Sequence, residues 1–272
     1  MRVLAPVLIL ASALFSATLA HAHEFWLSPQ RYQLAEGEPI RADIRVGQMF
    51  TGAAYSYLPD RIARFDLVMG DDLTKVESRM GDRPAMAMAP PAAGLAVLVH
   101  ETTDSTLTYD DWDTFLRFFQ HKAFGDVEAR HLARGLPKTG FSETYRRYAK
   151  SLVAVGDGAG RDRATGLEVE IVALANPYTD ALPDGLPVQV LYQGAPRAER
   201  QLEVYERAPD GTVSDLRLTT DAQGRVMVPV LPGREYLLDS VVLRGTGNDD
   251  PAAGPVWHSL WASLTFKMPD RP

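Results

Sequence analysis

From Ile40 to Val46 the chain alternates: Ile40, Ala42, Ile44 and Val46 fall on one side, Arg41, Asp43 and Arg45 on the other. A period of two marks a half-buried β-strand. Phe65–Met69 and Leu95–Val99 are short apolar runs that predict further strands. Between them, residues 80–94 are rich in Met, Ala and Pro and read as a loop. The pattern then changes. Asp110, Asp111 and Asp113 are suited to a helix start, and Phe115, Leu116, Phe118, Phe119 and Phe124 follow, with Val127, Ala129, Leu132 and Ala133 beyond. Gly135-Leu136-Pro137 ends this stretch, and Ser142–Lys150, with Ser142 as cap, predicts a second short helix.

After residue 166 the strand signals return: 167–174, 186–192, 201–207, 216–219, 226–230, 236–243 and 260–266, separated by turns such as Asn176-Pro177, Pro183-Asp184-Gly185 and Pro209-Asp210-Gly211. Thr219–Arg225 reads as a hairpin between two of them. Short strands at this spacing predict a mainly β protein of two immunoglobulin-like β-sandwich domains. The predicted divisions are 23–156, carrying a helical insertion at about 110–150, a Gly/Asp/Arg-rich linker at 157–165, and 166–272.

The first residues carry a different pattern. Arg2 precedes an almost wholly apolar stretch, Val3–Leu19, which ends in small residues. This is the layout of a secretory signal peptide, and Ala20-His21-Ala22 is an A-x-A cleavage site. Export to the periplasm follows, with 1–22 removed and His23 first; cleavage after Ala20 would instead place His21 first. No later stretch approaches the ~20 apolar residues of a membrane-spanning helix.

There is no cysteine, which excludes thiolate metal sites and thiol redox chemistry. The net charge of −7 becomes one unit more negative when Arg2 is lost, and a moderately acidic chain is a poor partner for nucleic acid. No P-loop, nucleophile elbow or H-E-x-x-H helix is present.

A terminal histidine changes the chemistry available. Its free amine titrates at about 7.7–8.0 and sits beside its own imidazole, so the two nitrogens can chelate one cation. A second imidazole would complete a T-shaped set of three nitrogens, a histidine brace, which suits Cu(II) or Ni(II). His100, at the end of a predicted strand, is the first candidate for that second ligand, and His258 the next. If His21 is first, His23 stands at position three, and amine, two backbone amides and its ring can wrap the ion in a plane. His121 and His131, ten residues apart, fall roughly 80° apart on an ideal helix and form no metal pair. Met80, Met86 and Met88 offer thioethers suited to Cu(I), although methionine equally fills gaps in a core.

Several stretches together carry a family resemblance: His23-Glu24-Phe25-Trp26-Leu27 after a leader, Tyr145-Arg146-Arg147-Tyr148-Ala149-Lys150 with Glu143 before it, Asn176-Pro177-Tyr178, the turn Thr220–Arg225, and the closing Trp261-Ala262-Ser263-Leu264-Thr265-Phe266. In these the chain resembles the bacterial domain-of-unknown-function family numbered four-one-nine-eight, exported proteins often linked by name to nickel and cobalt uptake. The resemblance implies a two-part β-rich periplasmic protein, in some members associated with a membrane metal transporter. The expectation is therefore a nickel-, cobalt- or copper-binding protein of uptake or delivery, with His23, His100 and His258 as candidate ligands. A metal-free binding or scaffold module is the alternative, and a histidine-brace copper enzyme a further one.

Overall fold

The computed structural model describes residues 24–270, so the leader and His23 lie outside the described residues. The first part of the chain forms β1 (Glu24–Pro29), β2 (Gln33–Leu34), β3 (Ile40–Gln48), β4 (Thr51–Tyr55), β5 (Ile62–Met69), β6 (Asp72–Lys75), β7 (Met86–Met88), β8 (Gly94–Thr102) and β9 (Ser105–Tyr109). Two helices follow, α1 (Trp112–His121) and α2 (Val127–Ala133), and then the long strand β10 (Phe141–Val155). The rest forms β11 (Val169–Ala173), β12 (Leu186–Tyr192), β13 (Ala195–Pro196), β14 (Gln201–Arg207), β15 (Val213–Thr219), β16 (Arg225–Val228), β17 (Glu235–Gly245) and β18 (Trp257–Lys267). The protein is mainly β, with sheets packed face to face as in a β-sandwich.

A long central sheet runs in the order β15-β14-β17-β18-β10-β8-β5-β6, with β2 and β9 also pairing β10. It draws strands from both halves of the sequence, and they meet where β10 and β18 pair in parallel, from Glu143 opposite Trp257 to Ser151 opposite Thr265. Its two faces are covered differently. Alternate residues of each strand point to opposite faces. Val97, Leu152, Leu238, Leu260 and Leu264 pack on a back sheet of β11, β12, β13 and β16, against Val169, Ile171, Val188 and Val190. On the other face, Phe65, Leu67, Leu98 and Val153 meet Phe25, Leu27, Ile40 and Ile44 of a front sheet of β1, β3, β4 and β7. Beside that sheet, Phe115, Phe119 and Val127 of the helices cover Phe141, Val241, Trp257 and Trp261. The alternating segment 40–46 is β3, as its period predicts.

Three sequence-based expectations are corrected. Residues 142–150 are strand and not helix. Glu143, Arg146 and Lys150 have helix-like spacing, but in the strand they divide between faces: Arg146 pairs with Glu101 and Asp104, Lys150 with Asp162 and Glu170, and Glu143 bonds Tyr109 on the other side. Ion pairs thus satisfy polar groups that the periodicity assigns to a solvated helix face. The turn at 220–224 is no hairpin either: β15 before it pairs β14 in the long sheet, whereas β16 after it pairs β12 in the back sheet. Asp221 holds this crossing by accepting the backbone N–H of Gln223 and Arg225, each at 2.8 Å. Finally, Met86–Met88 is a strand, β7, inside the expected loop, with Met86 buried in the core and Met80 exposed.

The β3–β4 turn places Met49 and Phe50 at φ of 52° and 54°. Two successive left-handed residues match the right-handed twist of a hairpin. They swing Phe50 inward, where it is buried under Trp26, with ring centroids 5.6 Å apart.

Candidate functional site

The start of β1 rests on the face of the long sheet that carries the helices, and polar groups from distant parts of the chain converge there. Glu24 is buried at 5 % exposure. Its Oε1 lies 3.1 Å from the Tyr205 hydroxyl, which is also 2.8 Å from Glu203 Oε2. A phenol has one proton to donate, so the hydroxyl serves the two carboxyl groups in turn, with the shorter contact to Glu203. Glu203 Oε2 also receives the Lys122 ammonium, which reaches Asp239 Oδ2 at 2.9 Å. Burial, with Asp239 nearby, pushes the pKa of Glu24 up to about 7. Its second oxygen has no partner.

Lys122 caps α1 and lies 5.1 Å from the ring centroid of Trp261, so the helix is tied to β14, β17 and β18 at one point. Ser263 stands opposite Asp239 in the β17–β18 register, with its hydroxyl unpartnered. Arg147, opposite Trp261 in the β10–β18 register, lies over the rings of Tyr145 at 4.6 Å and Phe25 at 5.8 Å, and its buried Nε has no acceptor. Burial lowers its pKa. Glu143 accepts the Tyr109 hydroxyl at 2.8 Å and that of Ser259, and burial pushes it up to about 7. A cavity of about 230 Å³ opens beside Glu24, lined also by Gln48, Thr114, Phe118, His121 and Lys122. The opening, middle and closing sequence motifs thus meet at Glu24, Phe25, Arg147, Trp261 and Ser263.

The histidines fall into distinct settings. His100, on β8, is 1 % exposed and lies between the rings of Phe25 and Phe65, with centroids 5.2 and 5.0 Å away. Neither ring nitrogen has a partner, and burial pulls its pKa down to about 3, so the ring is neutral with a free lone pair at neutral pH. His258 is on the opposite face of the long sheet. Its Nδ1 accepts from Arg244 at 3.1 Å, and that guanidinium also holds Glu168. His100 and His258 are therefore not brought together. His131 is core: Nδ1 accepts the Trp257 indole N–H at 3.0 Å, and Nε2 donates to the Pro137 carbonyl at 2.9 Å. His121, the last residue of α1, has Nε2 at 3.2 Å from Glu203. Among the described residues no group of three or more His, Asp or Glu is placed to hold a metal ion.

Lys122, Glu203, Tyr205 and Asp239 were not legible as a site, since each comes from a different stretch than the motifs. One signal existed: Asp239 interrupts the apolar run Tyr236–Leu243, and a charge inside a buried strand needs a partner.

A mainly β scaffold with a buried polar cluster under its first strand is the class that this geometry defines. The chain belongs to the family described as Domain of unknown function (DUF4198), whose model matches residues 20–243. The match ends before β18, so the closing Trp261–Phe266 motif lies beyond it. No curated protein matches. Among solved structures, the chain is similar to the D0-D1 domain of intimin (13 % identity, 89 % of this chain and 97 % of that one, TM-score 0.24). It is also similar to a mutant Salmonella alpha-2-macroglobulin (15 %, 96 % and 16 %, TM-score 0.24) and to a tandem-repeat region of a large adhesion protein (8 %, 90 % and 49 %, TM-score 0.21). This chain spans about a sixth and about half of those two. No helix among the described residues is long and apolar enough to cross a membrane.

Proposed function

We propose that this is an exported periplasmic protein that binds a transition-metal ion, Cu(II), Ni(II) or Co(II), for uptake or delivery, with the amine and imidazole of His23 and the imidazole of His100 as its nitrogen ligands. The observation that carries this is His100. A buried imidazole with both nitrogens unpartnered is a costly feature, on the order of 1–3 kcal/mol per unsatisfied group, and an ion is one of the few explanations for it. It touches Phe25, two residues from His23. The leader supports export and a histidine at position one. His258 is left out of the set, because the long sheet stands between it and His100. Neutral nitrogen donors in a tetragonal set favour Cu(II) over Ni(II) at equal availability.

The test begins with the N-terminus. Mass spectrometry of the protein isolated from the periplasm is expected to give His23 first. Any first residue other than His23 or His21 contradicts the terminal chelate, and so does unchanged Cu(II) affinity in His23→Ala.

A further inference from the structure

Lys150, Asp162 and Glu170 form a cluster on the face of the long sheet away from the candidate site. All three side chains are shut off from solvent, at 1 %, 0 % and 1 % exposure. Lys150 Nζ lies 2.7 Å from Asp162 Oδ1 and 3.1 Å from Glu170 Oε1. Its third contact is the Arg163 carbonyl, at 3.0 Å. Around them lie Tyr148, Leu152, Val169 and Ile171 of the apolar core. A buried ion pair is often no more stabilising than apolar residues of the same volume, so stability alone does not account for three charges here.

We propose that Lys150 and Asp162 condense into an intramolecular isopeptide bond, with Glu170 as the proton carrier. Proton transfer across the 2.7 Å contact gives a neutral amine and a neutral carboxylic acid. The amine lone pair attacks Cγ, and the Nζ–Cγ bond forms. Glu170 takes one of the two remaining nitrogen protons and hands it to Oδ1, which already carries one. The Cγ–Oδ1 bond breaks with its electron pair, water leaves, and Glu170 ends as it began. An ammonium and a carboxylate become one secondary amide and one water, with no change of oxidation state and no co-reactant.

The surroundings suit both ends of this step. Glu170 accepts the N–H and hydroxyl of Thr165, each at 2.8 Å, and the Gly166 N–H at 3.2 Å, which fixes its carboxyl group beside the Lys150 ammonium. Burial raises the pKa of Asp162, which favours the acid form that the attack requires. The product is already solvated by the protein. Oδ2 would remain as the amide oxygen and keeps the Ala173 N–H at 2.8 Å, while the surviving nitrogen proton keeps the Arg163 carbonyl. Near-attack contact and fixed orientation supply much of the barrier lowering in such intramolecular reactions. In a chain without cysteine, this would give a cross-link that needs no oxidant.

Intact-mass spectrometry of the denatured wild-type protein decides the matter, with the calculated mass taken from the observed N-terminus. The expected result is a mass lower by one water, with tandem spectra placing Asp162 as a branch on Lys150, and the full calculated mass in Glu170→Gln. A wild-type mass equal to the calculated one overturns the proposal. So does a water loss that persists in Asp162→Ala.

Discussion

The rings of His100 and Phe25 lie 5.2 Å apart and tilted by 43°, which places an unpartnered imidazole against the second described residue of β1. Phe25 also carries the Arg147 guanidinium, 5.8 Å from its ring centroid. The start of the first strand is thus packed between a neutral nitrogen base and a cation drawn from β8 and β10. This contact is the physical core of the proposed function, and it bears on stability as well.

His100 is expected to make the metal-free fold acid-sensitive. Its folded pKa of about 3 lies below the ordinary 6.5, so the unfolded chain binds the extra proton between those values. Stability should therefore be lost as pH falls from about 6.5 toward 3, by an amount on the order of 1.4 kcal/mol per pH unit at most. His100→Leu is close in volume and removes both unpartnered nitrogens. Urea melts of the metal-free variant should show equal or greater stability at pH 7 and a flatter dependence below pH 6.

Glu143 acts in the opposite direction. Its folded pKa of about 7 lies above the ordinary 4.5, so the folded state holds the extra proton in that window. Its contribution is present below pH 4.5 and is lost as pH rises through 7. Glu143→Gln keeps an acceptor for the Tyr109 hydroxyl and has no charge to bury. Thermal melts of the variant should lose less stability than wild type between pH 5 and 7; an identical slope would show that Glu143 does not titrate there.

Lys122 ties α1 to the long sheet through Glu203 and Asp239. Lys122→Met leaves two buried carboxylates facing each other without a cation. The expected cost is about 3–5 kcal/mol, read from urea midpoints. Hydrogen exchange should rise first in α1, because Lys122 caps that helix and its two ion pairs hold it to β14 and β17.

Much of the fold was legible because its strands are patterned by burial. The alternation of Ile40–Val46 gives β3, and the run Tyr236–Leu243 falls within β17 because a strand covered on both faces reads as continuous apolar sequence. β10 was not legible. Glu143 is satisfied by Tyr109 and Ser259, Arg146 by Glu101 and Asp104, and Lys150 by Asp162 and Glu170, and no local window contains those partners. The Thr219–Arg225 turn misleads for a related reason: its residues report a reversal of direction but not that the two strands enter different sheets. Of the candidate ligands, His100 was singled out from its place at a strand end, and its lack of hydrogen-bond partners is visible in the structure alone. The site's acids and Lys122 were hidden, since Glu203 and Asp239 pair with a residue 81 and 117 positions away that sits in another layer.

The most direct measurement is a competitive Cu(II) titration of the purified mature protein beside its His100→Leu and His258→Leu variants, with electron paramagnetic resonance on the bound ion. The expected result is a single ion per chain with nitrogen coupling in the spectrum. Affinity should fall at least tenfold in His100→Leu, which is about 1.4 kcal/mol, and stay unchanged in His258→Leu. Affinity and spectrum unaltered in His100→Leu, in a variant that melts normally, would contradict a metal site at His100.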